Sequence, residues 1–369
     1  MYQSLQAGRA AAAMLVVAFH VVSCVSNPKY FDLPWLNPPY AWGKLAVEYF
    51  YVLSGFILFT VHQGELFLPQ HFIPYALKRI IRIYPTYILI FLGVLLPALT
   101  IPSLRGSVPT DPFVLACRLI LFPRWLQTPP TDGTPFNVIG VSSSLEYEVF
   151  FYALFALLFL GRPIAALLIA GLLGAFIARM AGIPLPGFVL SIADENTITF
   201  LLGIAAAAIH RSGFRMPAPG WISLAAACLL FTFHGDGFRP LWPNIPLRAL
   251  VTGLCCASLL LGLLAAEERN LPVGRHPWIQ RLGDASYALY LIHFPLVSLL
   301  TKVAAAAGLP RLGRPGVALT ILAEIAAAVA VSVAFHLWIE KPLLTFLRRK
   351  AAGLIEPNKP AHTHPTGTS

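Results

Sequence analysis

The chain has 369 residues, 57% of them hydrophobic and only 11% charged, where an ordinary soluble domain carries roughly 25% charged residues. So large an apolar excess excludes a water-soluble fold and suits lipid as the solvent. The continuous apolar runs, near the ~20 residues that a spanning helix needs, exclude a membrane β-barrel, whose strands alternate. The net charge of +10 does not point to nucleic acid, because the cations lie in short loops between apolar runs, where the positive-inside rule puts them.

The expected architecture is all-α: a polytopic transmembrane bundle with spans at 10–26, 43–62, 80–99, 145–160, 163–181, 197–210, 219–234, 246–265, 285–306 and 316–338. These form one membrane domain over 1–346, followed by a cytoplasmic tail at 347–369 with no apolar period, expected to be disordered. One set of loops holds Lys78, Arg79, Arg82, Arg162, Arg211, Arg215, Arg269, Arg275 and Arg281, and the tail adds Lys341, Arg348, Arg349 and Lys350. The opposite set is poorer in Lys and Arg, so both termini are expected in the cytoplasm.

Ionisable groups inside spans are costly and suggest function. In the first span, which no cleavage-site pattern follows, His20 lies eleven positions after Arg9. That is nearly a whole number of turns, so both share one helix face, roughly 16 Å apart along the axis. They read either as two groups of one groove or as a loop anchor and a helix-packing histidine. Glu48 opens the second span. Arg79 and Arg82, three apart, occupy neighbouring positions of one face before the third span and suit a phosphate, or serve as a positive-inside cluster.

The apolar piece 113–126, broken by Arg118, Pro123 and Arg124, is expected as an interfacial or re-entrant helix within a long external loop at about 100–144. Glu146 and Glu148 open the fourth span. Glu146 reads as a carboxylate favoured by the helix N-terminus, and Glu148 as the inward-facing acid, with Tyr152 one turn later. His293 falls in the ninth span on the face of Tyr290 and Ser286, as a structural or a functional histidine. His336 and Glu340, one turn apart, are expected to pair. The five cysteines, Cys24, Cys117, Cys228, Cys255 and Cys256, have neither metal nor disulfide spacing and read as small packing residues. There is no phosphate-binding Gly-rich loop, His-Glu-x-x-His, zinc spacing or nucleophile elbow.

Six blocks resemble the acyltransferase 3 family of membrane proteins, in family order: 5–20, from Leu-Gln-Ala-Gly-Arg to His20; Phe-Tyr-Val-Leu-Ser-Gly-Phe at 50–56; Lys-Arg-Ile-Ile-Arg-Ile-Tyr-Pro at 78–85; Ser-Leu-Glu-Tyr-Glu-Val-Phe-Phe-Tyr at 144–152; Leu-Gly-Asp-Ala-Ser-Tyr-Ala-Leu-Tyr-Leu-Ile-His-Phe-Pro at 282–295; and Ile-Glu-Lys-Pro at 339–342. The opening is most like the exopolysaccharide-production branch. Ala10 stands where the family commonly has Gly, and Ser143 where it has Trp; neither change removes a chemical group.

The resemblance implies a bacterial inner-membrane enzyme that moves an acyl group, most simply acetyl, from cytoplasmic acyl-CoA to a hydroxyl of an exopolysaccharide, another surface carbohydrate or a lipid-linked precursor. It implies no bound cofactor, metal or nucleic-acid partner. Arg9, Arg79 and Arg82 would hold the donor's phosphates, with His293 and Tyr152 also facing substrate. His20 would be the base or would carry the acyl group, oriented by Glu148 or Glu48. The competing expectation is a transporter or flippase of a polysaccharide intermediate, in which the same His and Arg would line a substrate or proton path.

Overall fold

A computed structural model describes residues 2–36, 38, 40–127, 135, 137–214, 216–234 and 247–355. Among these the chain is built of helices, and none of them forms a strand. The helices are α1 (Gln3–Ser26), α2 (Tyr40–His62), α3 (Phe72–Thr100), α4 (Pro112–Leu119), α5 (Ser143–Leu157), α6 (Arg162–Met180), α7 (Gly187–Ile192) and α8 (Glu195–Arg211). They continue with α9 (Ala218–His234), α10 (Leu247–Glu268), α11 (Pro277–Asp284), α12 (Ser286–Ala306), α13 (Arg314–Phe335), α14 (Lys341–Lys350) and α15 (Ala352–Ile355).

Eight helical segments are long and apolar enough to cross a membrane: α1, α2, α3, α5 with its 3-10 extension, α6, α10, α12 and the continuous run from α13 into α14. The sixth and seventh expected spans are occupied by α8 and α9, of 17 residues each, or about 25 Å at 1.5 Å per residue. The bundle is therefore polytopic and all-α, as its apolar runs predict. Arg215, one of the cations weighed for orientation, lies outside the described residues, as does the tail beyond Ile355; before that, α14 and α15 carry the helix past 346.

The helix that bears Arg9 and His20 is the hub. α1 packs against α2, α10, α11, α12 and α13, burying Val17, Val21 and Val25 on one side and Leu5 and Ala12 on another. α2 and α8 meet backbone to backbone. A Cβ on Gly203 would stand 2.0 Å from the Val52 carbonyl oxygen, and one on Gly55 would stand 2.2 Å from that of Phe200, so each glycine is required by the approach of the other helix.

Two local features shape the rest. The broken apolar piece becomes the short α4 and a 3-10 turn at Arg124–Leu126. Its Arg118 is not a solvated loop cation: it is 1% exposed and bonds Glu146, also 1% exposed, at 2.6 Å. The Arg124 N–H donates to the second Glu146 oxygen at 2.8 Å. Glu146 therefore pins α4 and its following turn onto α5, beyond any dipole effect.

The second feature is a π turn at His336–Glu340 between α13 and α14. Pro342 has no N–H to offer the Trp338 carbonyl four residues back, and its ring crowds that carbonyl. The helix widens just before it, and the Lys341 N–H donates to the His336 carbonyl five residues back. His336 and Glu340 pair as expected, at 2.6 Å. Glu340 also accepts from the Thr86 hydroxyl of α3 at 3.3 Å.

Candidate functional site

A cavity of about 410 Å³ lies between α1, α2, α3, α5, α12 and α14. Four guanidiniums face it: Arg9 from α1, Arg79 and Arg82 from α3, and Arg348 from α14. Together they form its basic end. Beside them the wall carries Glu148 and Tyr152 from α5, Ser54 from α2, and Tyr287 and Tyr290 from α12. The spacing arguments for Arg9, Arg79, Arg82, Glu148 and Tyr152 thus converge on one space. Arg348, counted by sequence with the tail's basic residues, joins them only because the π turn and the docking of α14 on α3 carry it there.

Each arginine is held differently. Arg9 donates to Gln6 Oε1 at 3.1 Å and to the Ser286 hydroxyl at 2.9 Å, while Gln6 donates to Asp284 at 2.5 Å. Arg79 stacks on the rings of Tyr75 and Tyr152, at 5.4 and 5.3 Å, and donates to His62 Nε2 at 3.1 Å. A guanidinium can only donate, so His62 Nε2 accepts and the proton sits on Nδ1, which donates to Glu65 at 2.6 Å. Glu65, His62 and Arg79 form a line that aims one guanidinium into the cavity. His62 and Glu65 were not singled out by sequence, because nothing in their spacing to Arg79 shows that α2 and α3 bring them together. Arg82 lies over the Tyr287 ring at 5.4 Å.

Two acids line the cavity, Asp284, which accepts from Gln6, and Glu148. Glu148 accepts from the Ser54 hydroxyl at 3.3 Å and from the Tyr152 hydroxyl one turn on. Glu48, by contrast, is at the opposite end, buried on α2 beside Lys44 at 3.6 Å, which also pairs with Glu195 of α8. It is not in the cavity wall.

His20 and His293 also stand outside the lining, behind it. Tyr290 is part of the wall and bonds the Ser144 hydroxyl at 2.5 Å. The His293 ring is 5.9 Å from the Tyr290 ring, and the His20 ring is 5.1 Å from that of His293. The common face inferred for Arg9 and His20 is visible in their partners, since Arg9 meets Ser286 and His20 meets His293, both on α12.

The two imidazoles fix each other's tautomers. His293 Nδ1 is 2.9 Å from the Leu289 carbonyl oxygen, so it carries a proton and donates. Its Nε2 then accepts from His20 Nδ1, at 3.1 Å. His20 Nδ1 is also 3.0 Å from the Val16 carbonyl oxygen, so it carries the proton there, and His20 Nε2 is left with a free lone pair. The residue that orients His20 is thus a histidine rather than either of the two candidate acids. Phe19 and Phe294 bracket the His20 ring edge-to-face, each at 5.2 Å.

One buried acid passed over by sequence reasoning is Glu324 of α13, 2% exposed, which accepts from Thr301 at 2.7 Å. Among the described residues no group of three or more His, Cys, Asp or Glu is placed to hold a metal ion.

A family model described as an acyltransferase domain matches residues 2–339. Over 323 residues the chain is 28% identical to the exopolysaccharide production protein ExoZ of Rhizobium meliloti, covering 85% of this chain and 93% of that protein. It is 28% identical over 333 residues to the acyltransferase MdmB of Streptomyces mycarofaciens, with 84% and 82% covered. It is 24% identical over 366 residues to the putative peptidoglycan O-acetyltransferase YrhL of Bacillus subtilis, covering 89% of this chain and 54% of that protein. No solved structure matches it significantly.

Proposed function

This chain belongs to the acyltransferase-domain family of the matching model, and from that premise we propose that it O-acylates a carbohydrate hydroxyl using acyl-CoA. The observation that carries the reading is one cavity lined by four guanidiniums together with a Glu148–Tyr152–Ser54 cluster. Guanidinium forks match phosphate oxygens and remain charged when partly desolvated. A CoA donor needs such a grip on its phosphates while its acyl thioester reaches deeper. The exopolysaccharide and peptidoglycan named for two relatives suggest the acceptor class: an exopolysaccharide, another surface carbohydrate or a lipid-linked precursor. The basic end faces the cytoplasm of a bacterial inner membrane in this reading, and the acceptor comes from the other side.

In the reaction the acceptor oxygen forms a bond to the acyl carbon, the carbon–sulfur bond of the thioester breaks, and the hydroxyl proton ends on the CoA thiol. His20 Nε2 is the nitrogen free to take that proton, with His293 and the Val16 carbonyl holding the ring in the required tautomer. Arg9, Arg79 and Arg82 bind the donor, and Glu148 and Tyr152 contact it or the acceptor within the cavity. Purified protein in nanodiscs should release CoA from acetyl-CoA when acceptor polysaccharide is present, and mass spectrometry should find acetyl esters on the cell's polysaccharide only when the protein is expressed. A protein that binds the polysaccharide intermediate but releases no CoA would overturn the reading in favour of a carrier.

A further inference from the structure

The four guanidiniums around the cavity are not equivalent. Arg9, Arg79 and Arg82 are half-buried, and each is engaged by the protein: Arg9 by Gln6 and Ser286, Arg79 by His62 and two tyrosine rings, Arg82 by the Tyr287 ring. Arg348 is the exposed member of the four, and its side chain lines the same cavity with the charges of Arg82 and Glu340 as its electrostatic neighbours.

Its position is built rather than incidental. The π turn redirects the helix, and Glu340 anchors the turn to Thr86 of α3. From that anchor, at about 1.5 Å per residue, Arg348 lies roughly 12 Å toward the basic end, level with Arg79 at roughly 10 Å from Thr86 and beyond Arg82 at roughly 6 Å in the same direction. α14 and α15 both pack on α3, which keeps Arg348 on the cavity side.

A ligand that fits has anionic groups at two stations along its length. Acyl-CoA is such a molecule: a diphosphate lies midway, and a third phosphate sits on the ribose 3′ oxygen, at the end far from the thioester. With the thioester beside Glu148, inside the cavity, the ribose 3′-phosphate at the far end of the donor falls at the exposed Arg348. We propose that Arg348 binds this terminal phosphate and so makes the enzyme select a 3′-phosphorylated donor. The inference rests on the reading of acyl-CoA as donor.

The test is initial-rate kinetics on the full chain in nanodiscs, with acetyl-CoA and acetyl-3′-dephospho-CoA as alternative donors. The unaltered protein should show a KM for the dephospho donor raised by roughly 10-fold, as loss of a charge-assisted contact predicts. Arg348→Ala should raise the KM for acetyl-CoA to about the dephospho value, leave the dephospho KM unchanged and keep kcat. Arg349→Ala removes the same charge from the same helix, and Arg349 does not line the cavity; it should retain the full discrimination between donors.

Equal KM values for the two donors in the unaltered protein would overturn the inference, and this comparison needs no variant to fold. So would an Arg348→Ala protein that still prefers the 3′-phosphorylated donor. If the unaltered protein releases no CoA from acetyl-CoA at all, the reading of the donor itself has failed, a result distinct from lost discrimination.

Discussion

At the scale of single residues, two histidines are joined by one hydrogen bond. His20 holds a nitrogen with a free lone pair, and His293 accepts its other N–H. His20→Ala should lower acyl transfer by about 10²–10⁴-fold, the range a general base contributes, with the protein still inserted and extractable. His20→Gln separates chemistry from packing, since Gln can restore a hydrogen bond but cannot act as a base near neutral pH; near-normal transfer by that variant would make His20 structural. Arg79 poses a different question, because its effect should fall on binding. Arg79→Ala should raise the donor's apparent KM while kcat at saturating donor is kept. His62→Phe, which removes the acceptor that aims Arg79, should shift KM in the same direction by less, and His62→Gln should recover part of the loss. An unchanged KM in Arg79→Ala at normal protein level would remove Arg79 from the donor site.

At the scale of helices, α2 and α8 meet backbone to backbone. Gly203→Ala places a methyl 2.0 Å from the Val52 carbonyl oxygen, a clash that no side-chain rotation relieves, so the helices must separate. Overpacking of this kind costs about 1–3 kcal/mol, which thermal melting in detergent should report as a lowered Tm. Gly174→Ala on α6 is the control: a Cβ there meets nothing within 4 Å, and the gain in helix propensity, up to about 1 kcal/mol, should leave Tm unchanged or higher. A Gly203→Ala protein as stable as the parent would mean that α2 and α8 are less tightly apposed.

The helices are also where legibility in the sequence divides. Helical periodicity alone groups Arg9 with His20, Arg79 with Arg82, and Glu148 with Tyr152, because those relations lie within one helix. Contacts between helices carry no such local signature. His62 reaches Arg79 across a turn, His293 reaches His20 from a helix 273 positions away, and Arg348 enters the cavity through a π turn whose only local sign is Pro342 behind a polar His336–Glu340 pair. Arg118 illustrates the same limit: in sequence it breaks an apolar run, and only the fold reveals Glu146 as its partner.

At the scale of the whole molecule, the remaining question is which way the bundle faces and whether its two ends share a side. α8 is apposed to α2 at Gly55 and Gly203, near the middle of both helices, so if α2 spans, α8 lies at the same depth. α9 packs along α10, and the Cys255 thiol contacts the Ala225 carbonyl oxygen at 3.2 Å. Counting both gives ten crossings; counting neither gives the eight that meet the length criterion. Either number is even, and Arg9 and Arg348, near opposite ends of the described chain, line one cavity. The Lys and Arg excess in the loops at that end is the asymmetry that the positive-inside rule associates with the cytoplasmic side. A reporter that is active only in the cytoplasm should therefore be active when fused after Ser369 and inactive when inserted into the 100–144 loop, with a periplasm-specific reporter giving the reverse. A periplasmic signal at the C-terminus would invert the orientation, and with it the side from which a phosphate-bearing donor could reach the four arginines.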